Sequence, residues 1–292
     1  MADAVNPQAM RIALCNEVLQ PLTFLEQCRL AAAMGYDALE VAPFTLAEDP
    51  LQISDTEARQ YACIAQDHGI AISGLHWLLV APRGLSISSA DATLRARTAR
   101  AMERMVELCT LLGGTYLVHG SPQQRATPPG SSAPEAWARV RDCLSQAARH
   151  AQACHVTYCL EPLSTRETDI VNTVQQAVQM ISEVASPALK TMIDCSAAGQ
   201  VENETLPALV QRWVPTGHIA HVQVNDPNRR GPGQGTMRFA PILRSLAALR
   251  REGHYHGIIA VEPFDYVPDG PGCAARAIGY LRGVLEEIED DG

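Results

Sequence analysis

Four polar side chains in the second half of the chain each close a short apolar run. They are Glu161, Asp194, Gln223 and Glu262. The runs that precede them span 156–160, 189–193, 219–222 and 257–261. Such runs are typical of the strands of a (β/α)8 barrel, whose carboxyl ends meet at one mouth where the chemistry takes place. We therefore predict that these four side chains lie together around one divalent metal.

The donor chemistry of the four side chains favours a hard cation. Carboxylate and amide oxygens are ligands that favour Mn²⁺ or Mg²⁺, whereas a typical zinc site uses thiolates. Burial of three acids is costly unless a counter-charge is present, and a divalent cation would cancel most of their charge. A single acid at a strand end is more often a helix N-cap or a surface ion-pair partner. Four polar groups at successive strand ends favour a shared site, with Mn²⁺ as the first candidate.

The elements that must position these groups alternate between strand and helix. Amphipathic segments of helical period separate the apolar runs, and several of them end at a glycine. Eight such units in 292 residues favour a closed parallel barrel, with one domain over 1–292. We predict strands at 12–15, 38–41, 70–75, 115–118, 156–160, 189–193, 219–224 and 258–261, helices at 23–34, 55–68, 89–112, 135–154, 173–184, 206–213, 239–251 and 273–288, and a loop at 124–134.

Histidine and arginine side chains at the predicted mouth are candidates for substrate binding. His76 and His119 follow the third and fourth strands. His221 shares the inner face of the seventh strand with Gln223, because side chains two residues apart on a strand point the same way. Arg229 lies in the loop after that strand. Each also has an ordinary structural interpretation, as a hydrogen-bonded core histidine or a solvated loop arginine.

Two glutamates near the ends of the first two strands, Glu17 and Glu40, fit structural ion pairs better than catalysis. Trp77, beside His76, could pack on a sugar ring or close the barrel. No Gly-x-Gly-x-x-Gly motif follows the first strand, so the fingerprint of a dinucleotide-binding fold is missing from the sequence.

Composition excludes some classes of protein. A formal net charge of −9 argues against a general nucleic-acid binder, since the phosphate backbone attracts basic surfaces. The nine cysteines have no metal-finger spacing and are typical of reduced thiols. The N-terminus lacks the features of a signal peptide, and no apolar run has the length of a membrane span. We expect a cytoplasmic protein without membrane partners.

At these residues the chain resembles the xylose isomerase-like barrels, and within them the sugar phosphate isomerase/epimerase group that includes the ketose 3-epimerases. The resemblance covers most of the chain. Its best segments are 74–77, 160–162, 193–194, 221–235 and 261–263. In that family a Glu-Asp-His-Glu set holds Mn²⁺, Co²⁺ or Mg²⁺. The resemblance implies that Glu161, Asp194 and Glu262 are the first, second and fourth ligands.

The chain departs from the family pattern at two positions. Gln223 stands where the third ligand is usually histidine, and His221 is the alternative ligand two residues earlier. An amide oxygen can also bind a hard cation. Ala197 stands where relatives often have a histidine that touches the substrate. The substrate is therefore expected to differ from that of familiar ketose 3-epimerases.

The combined prediction is a metal-dependent sugar isomerase or epimerase that moves a proton next to a ketone through an enediolate. Glu161 and Glu262 are predicted as the acid and base on opposite faces of the substrate carbon, while Asp194 and Gln223 are ligands only. Transfer between the two faces gives an epimer. Transfer on one face to the next carbon gives aldose–ketose isomerisation, and loss of a β-leaving group from the same enediolate makes the enzyme a lyase or dehydratase of a keto-sugar or keto-inositol.

Two other classes of function compete with this prediction. An endonuclease IV-like phosphodiesterase would use the same fold, but its chemistry calls for more histidine ligands and a basic DNA-facing surface. A barrel that only binds a ligand would not need four polar groups aimed at one mouth. We therefore predict a small-molecule sugar or keto-sugar as the partner, no nucleic acid, and a possible homo-oligomer.

Overall fold

Eight parallel strands form the centre of the computed structural model, which describes residues 9–290. They are β1 (Ile12–Cys15), β2 (Ala38–Val41), β3 (Ala71–Leu75), β4 (Tyr116–His119), β5 (Thr157–Leu160), β6 (Leu189–Asp194), β7 (Ile219–Val224) and β8 (Ile259–Val261). Each strand pairs with its neighbours in sequence, and β8 pairs with β1, which closes the sheet. The predicted (β/α)8 barrel is confirmed.

Helices connect the strands and cover the outside of the barrel. They are α1 (Phe24–Met34), α2 (Asp55–Asp67), α3 (Ala92–Leu111), α4 (Pro122–Arg125), α5 (Ala133–Ala153), α6 (Val174–Val184), α7 (Cys195–Val201), α8 (Leu206–Trp213), α9 (Phe239–Arg251) and α10 (Gly270–Asp290). Thr23 and Ser54 start α1 and α2 with capping boxes, which satisfy backbone N–H groups that the first turn leaves free. None of the described helices is long and apolar enough to cross a membrane.

The predicted boundaries agree with these elements to within three residues, and two local differences lie near the site. The loop predicted at 124–134 is wrong at both ends. Pro122 opens the short helix α4, and a capping box at Ser132 starts α5 early. Helix α7 was not predicted; it begins directly after β6, where the Asp194 side chain accepts a hydrogen bond from the Ala197 backbone N–H.

The core is mainly aliphatic, as the low aromatic content implies. Strands β1, β2, β4 and β8 are buried along their whole length, as expected for a parallel sheet that helices cover on its outer face. A smaller set of polar side chains is buried at or near the carboxyl ends of the strands. Buried polar groups are expensive, so this set marks the place where function is to be sought.

Candidate active site at the barrel mouth

Three carboxylates meet at the mouth of the barrel. Glu161 follows β5, Asp194 ends β6 and Glu262 follows β8, and one ligand oxygen of each lies within 4.8 Å of the others. All three side chains are buried, with at most 6% of their surface exposed. They line the floor of a cavity of about 710 Å³. The strand ends therefore bring together the three acids that the sequence analysis singled out.

Glu161 lies against the backbone of the neighbouring strand end. A Cβ atom at Gly120 would stand 2.2 Å from Glu161 Oε2, so any other residue at this position would displace the carboxylate. Burial, and then the charges of Glu262 and Asp194, raise the pKa of Glu161 well above its usual value, while the nearby Arg125 guanidinium opposes that rise. The carboxylates thus repel one another when no cation lies between them.

Asp194 uses only one of its two oxygens within the protein. Oδ1 accepts the backbone N–H of Ala197 at 2.6 Å, which fixes the side chain at the start of α7. Oδ2 is buried and has no hydrogen-bond partner among the described residues. Burial raises the pKa of Asp194 to about 7, although the backbone hydrogen bond from Ala197 opposes this. A buried, unpartnered carboxylate oxygen is the atom that a metal ligand would present.

Gln223 lies beside Asp194 in the paired strands β6 and β7. Its Nε2 donates to Glu40 Oε1 at 2.7 Å. Because that contact occupies the nitrogen end, the amide oxygen is the free end, and Gln223 Oε1 is buried with no partner within residues 9–290. Gln223 thus has an oxygen available for a cation.

Glu262 is held by two donors on a single oxygen. His76 Nδ1 lies 3.0 Å and Trp77 Nε1 lies 3.1 Å from Glu262 Oε1. The other ring nitrogen of His76, Nε2, is 3.0 Å from Glu17 Oε2. Burial disfavours the charged imidazole, but the carboxylates of Glu17 and Glu262 outweigh it and raise the pKa of His76 well above its usual value. His76 therefore bridges two acids through its two ring nitrogens and fixes the orientation of Glu262.

The four predicted ligands fit a hard divalent cation. Three acids crowd one point, burial raises the pKa of Glu161 and Asp194, and among the described residues Asp194 Oδ2 and Gln223 Oε1 have no hydrogen-bond partner. Burial raises the pKa of Glu262 to about 8, against the hydrogen bond and charge of His76. A dication would supply the missing counter-charge and the missing partners together. Cys15, Glu17, His76 and Glu262 also lie close together, but His76 already bridges two acids there.

A buried network below the cavity supports these ligands. Glu40 accepts hydrogen bonds from Gln223 and from the Tyr116 hydroxyl, and His221 Nε2 lies 2.8 Å from Glu40 Oε2. Burial opposes the charge on Glu40, yet the contacts with His221, His76 and Tyr116 together lower its pKa to about 2. The predicted structural ion pairing fits Glu17 and Glu40, which contact His76 and His221.

The structure separates the four predicted substrate-binding residues. Arg229 lines the cavity, and His76 lies directly behind Glu262. His221 lies in the buried layer below, with its ring stacked 4.3 Å from that of Tyr116. His119 lies away from the acids: its Nδ1 is 2.7 Å from the Tyr158 hydroxyl, and burial lowers its pKa to about 3. Neither His119 nor His221 lines the cavity.

Several residues that line the cavity were not singled out by the sequence analysis. They are Arg83, Ser164, Arg166, Glu167, Gln200 and Phe264. All lie in loops or in the helix α7 that the sequence analysis missed, so no strand pattern could point to them. Trp77 is 37% exposed, and its ring packs between those of Phe44 and Phe264 as one wall of the cavity. The signal that could have found the arginines is their position in loops after strands, where barrel enzymes bind ligands.

Comparison with known proteins gives a consistent family. Residues 28–284 match the family model described as Xylose isomerase-like TIM barrel. The chain is 25% identical over 240 residues to the D-psicose 3-epimerase of Ruminiclostridium cellulolyticum, with 80% of this chain and 75% of the relative covered. The structure of an L-ribulose 3-epimerase superimposes with a TM-score of 0.81 at 20% identity, over 97% of both chains. A D-psicose 3-epimerase crystallised in the presence of D-fructose gives 0.79 at 20% identity, over 94% of this chain and 99% of its own.

Proposed function

The chain belongs to the xylose isomerase-like TIM barrel family, and from that premise we propose that it is a divalent-metal-dependent sugar epimerase that acts on a ketose next to its carbonyl group. The named relatives are epimerases, which agrees with the predicted isomerase class. The observation that carries the proposal is the cluster of Glu161, Asp194 and Glu262 on the floor of the cavity, beside the free oxygen of Gln223.

Glu161, Asp194, Gln223 and Glu262 would hold the cation, with Mn²⁺ as the first candidate and Mg²⁺ or Co²⁺ as alternatives. The oxygen donors fit these hard ions. When bound, a divalent cation supplies Lewis acidity toward the ketone oxygen and so makes the neighbouring C–H bond more acidic. The side chains of the protein orient the sugar, exclude water and move the proton.

Glu161 and Glu262 are the proposed acid and base. One carboxylate takes the proton from the carbon next to the ketone, and the electron pair of that C–H bond becomes part of an enediolate. The other, protonated, gives its proton to the same carbon from the opposite face, and the enediolate returns to the ketone. The product is the epimer, and no redox change occurs. Acid and base partners of this kind contribute about 10²- to 10⁴-fold each.

The side chains of Glu262 and Glu161 are held in place to different extents. Glu262 is fixed through Oε1 by His76 and Trp77, which leaves Oε2 for the substrate side. Glu161 has no such donors in the described part of the chain and lies against Gly120. Asp194 is held by the Ala197 backbone N–H and is proposed as a ligand only. Arg229, on the cavity wall over the Phe264 ring, is proposed to contact the sugar.

The same enediolate would serve a lyase or dehydratase if the substrate carried a leaving group on the next carbon. Proton NMR in D₂O separates these outcomes. The protein, loaded with Mg²⁺ to avoid paramagnetic broadening, is incubated with a panel of ketoses and keto-inositols. Metal-dependent exchange of the proton next to the carbonyl, with an epimer as product, is the expected result. An alkene product would favour the lyase, and no exchange with any ketose would refute the epimerase.

A further inference from the structure

Three arginines lie around the cavity above the carboxylates. Arg83 lies in the loop after β3, Arg166 in the loop after β5 and Arg229 in the loop after β7. All three are exposed at the surface of the chain while they line the same cavity. Because they come from three separate loops, the positive charge around the cavity does not belong to one basic segment of the sequence.

Among the described residues, these three arginines have no acidic partner, in contrast to several other arginines. Arg104 pairs with Asp55 and Glu107, and Arg282 pairs with Asp37. Within residues 9–290, by contrast, the guanidinium groups of Arg83, Arg166 and Arg229 form no hydrogen bond and no ion pair. Their N–H groups remain available for an anion that the protein does not supply.

Local contacts fix the backbone near Arg229 and Arg166. The Arg229 guanidinium lies 5.3 Å from the centre of the Phe264 ring, and the Arg229 carbonyl accepts the backbone N–H groups of Phe264 and Asp265. The turn that carries Arg166 is closed by Glu167, whose Oε2 accepts from the Ser164 N–H at 3.1 Å and from the Ser164 hydroxyl at 2.6 Å.

The charge of the cavity wall and the volume of the cavity both suit an anionic ligand. The acids on the cavity floor face the proposed cation, so the upper wall is left with three arginines and one acid, Glu167. This wall is positive on a chain whose net charge is −9. The cavity of about 710 Å³ lies within the range of pockets that bind drug-sized ligands. It therefore has room for a monosaccharide and a further group attached to it.

We propose that the substrate carries a terminal anionic group, away from its reacting carbon, and that Arg83, Arg166 and Arg229 bind that group. The guanidinium fork matches the geometry of both phosphate and carboxylate. This inference rests on the proposed function, since it names the class of ketose that the same site accepts. The carboxylate floor performs the chemistry, and the arginine wall selects the anionic substrate.

The test compares one ketose in three forms: neutral, with a terminal phosphate ester, and with a terminal carboxylate. The kcat/KM for exchange next to the ketone is measured for the wild-type holoenzyme and for Arg83→Gln/Arg166→Gln. We expect one anionic form to be favoured over the neutral form, and the anionic-to-neutral ratio to fall about 100-fold in the double variant. Which anionic form is favoured distinguishes phosphate from carboxylate. Arg97→Gln, an exposed arginine on α3, is the matched control and should leave the ratio unchanged.

A binding measurement separates this proposal from the proposed function. Inorganic phosphate is titrated into the Mg²⁺-loaded protein by calorimetry, without turnover. We expect the phosphate affinity to fall at least about tenfold in Arg83→Gln/Arg166→Gln and to be partly kept in Arg83→Lys/Arg166→Lys. In the wild type the phosphate affinity should fall when NaCl is added, because salt screens the charges. If no ketose undergoes exchange, the epimerase fails while this titration still tests the arginines. Equal phosphate affinity in the wild type and the double Gln variant, or a preference for the neutral ketose, would overturn the proposal.

Discussion

The floor and the upper wall of the cavity differ in burial, in hydrogen bonding and in the elements that carry their residues. On the floor and in the network beneath it, Glu262, His76, Gln223 and Glu40 are buried and form hydrogen bonds, and they lie on or directly after strands of the closed sheet. On the wall, Arg83, Arg166 and Arg229 are exposed, lie in loops and lack acidic partners in the described chain. A rigid floor suits proton transfer, which needs fixed geometry, whereas loop residues can vary with the substrate. The comparison predicts that changes to the floor affect catalysis and metal binding, while changes to the wall affect substrate choice.

The largest effect is expected when an acid of the floor loses its charge. Glu262→Gln keeps the shape of the side chain but cannot take a proton, so kcat should fall by about 10²- to 10⁴-fold for every ketose tested. Isotope exchange in D₂O measures this. Glu287→Gln, on the exposed face of α10, is the matched control. A Glu262→Gln enzyme with near-normal kcat would remove Glu262 from the mechanism.

The floor should also control how stability depends on pH in the metal-free protein. Burial raises the pKa of Asp194 to about 7 and that of Glu262 to about 8 from ordinary values near 4. Acids with raised pKa values favour folding in their neutral form, so this stability is present at low pH and is lost as pH rises from about 4 to 8. We expect the Tm of the metal-free protein to fall by about 5 °C or more between pH 5 and pH 8.

Added Mn²⁺ should reverse most of that loss, and its stabilising effect should be larger at pH 8 than at pH 5, because the cation binds the ionised acids. Glu161→Gln, which removes one of the repelling charges, should flatten the pH dependence of the metal-free protein. A metal-free Tm that rises between pH 5 and pH 8 would contradict the mutual repulsion of these acids.

A smaller effect is expected from the network beneath the ligands. Glu40 accepts the Gln223 Nε2 hydrogen and thereby leaves the amide oxygen free for the cation. Glu40→Gln should weaken Mn²⁺ binding by about 10- to 100-fold, the usual cost of losing an outer partner of a ligand. Calorimetric titration measures the change. Glu17→Gln, which contacts His76 but not Gln223, should weaken binding less.

The smallest effect is expected at Trp77. Trp77→Phe keeps an aromatic ring between Phe44 and Phe264 but removes the indole N–H donor to Glu262 Oε1. His76 still holds that oxygen, so kcat should fall only about tenfold, the worth of one hydrogen bond to a charged group. A loss as large as that of Glu262→Gln would mean that Trp77 contributes directly to the chemistry and not only to the position of the carboxylate.

The sequence was most informative on strands, where the two-residue alternation indicates which side chains point to the same face. Asp194 and Gln223 were predicted to share the mouth, and they face each other across the paired strands β6 and β7. His119 shows the limit of that reasoning. It was predicted to follow the fourth strand and is the last residue of β4, but its ring lies against Tyr158 and does not line the cavity. The position of a strand end does not decide which face the last side chain takes.

The loops were beyond prediction for a different reason. Arg83 and Arg166 are far from each other in sequence and have no periodic pattern around them. Only the closed sheet brings their loops to one cavity. The Glu40 network was equally hidden, because the contact between Gln223 and Glu40 joins residues 183 positions apart. The predicted cytoplasmic location, the single domain and the homo-oligomer stay predictions.

Titration of the metal-free protein with Mn²⁺, followed by electron paramagnetic resonance, measures whether the mouth of the barrel binds a metal. We expect one tightly bound Mn²⁺ per chain, and binding weakened at least about 100-fold in Asp194→Asn, whose neutral amide removes one charged ligand. Wild-type protein that binds no Mn²⁺, or Asp194→Asn that binds it as tightly as the wild type, would contradict a metal site at the mouth of the barrel.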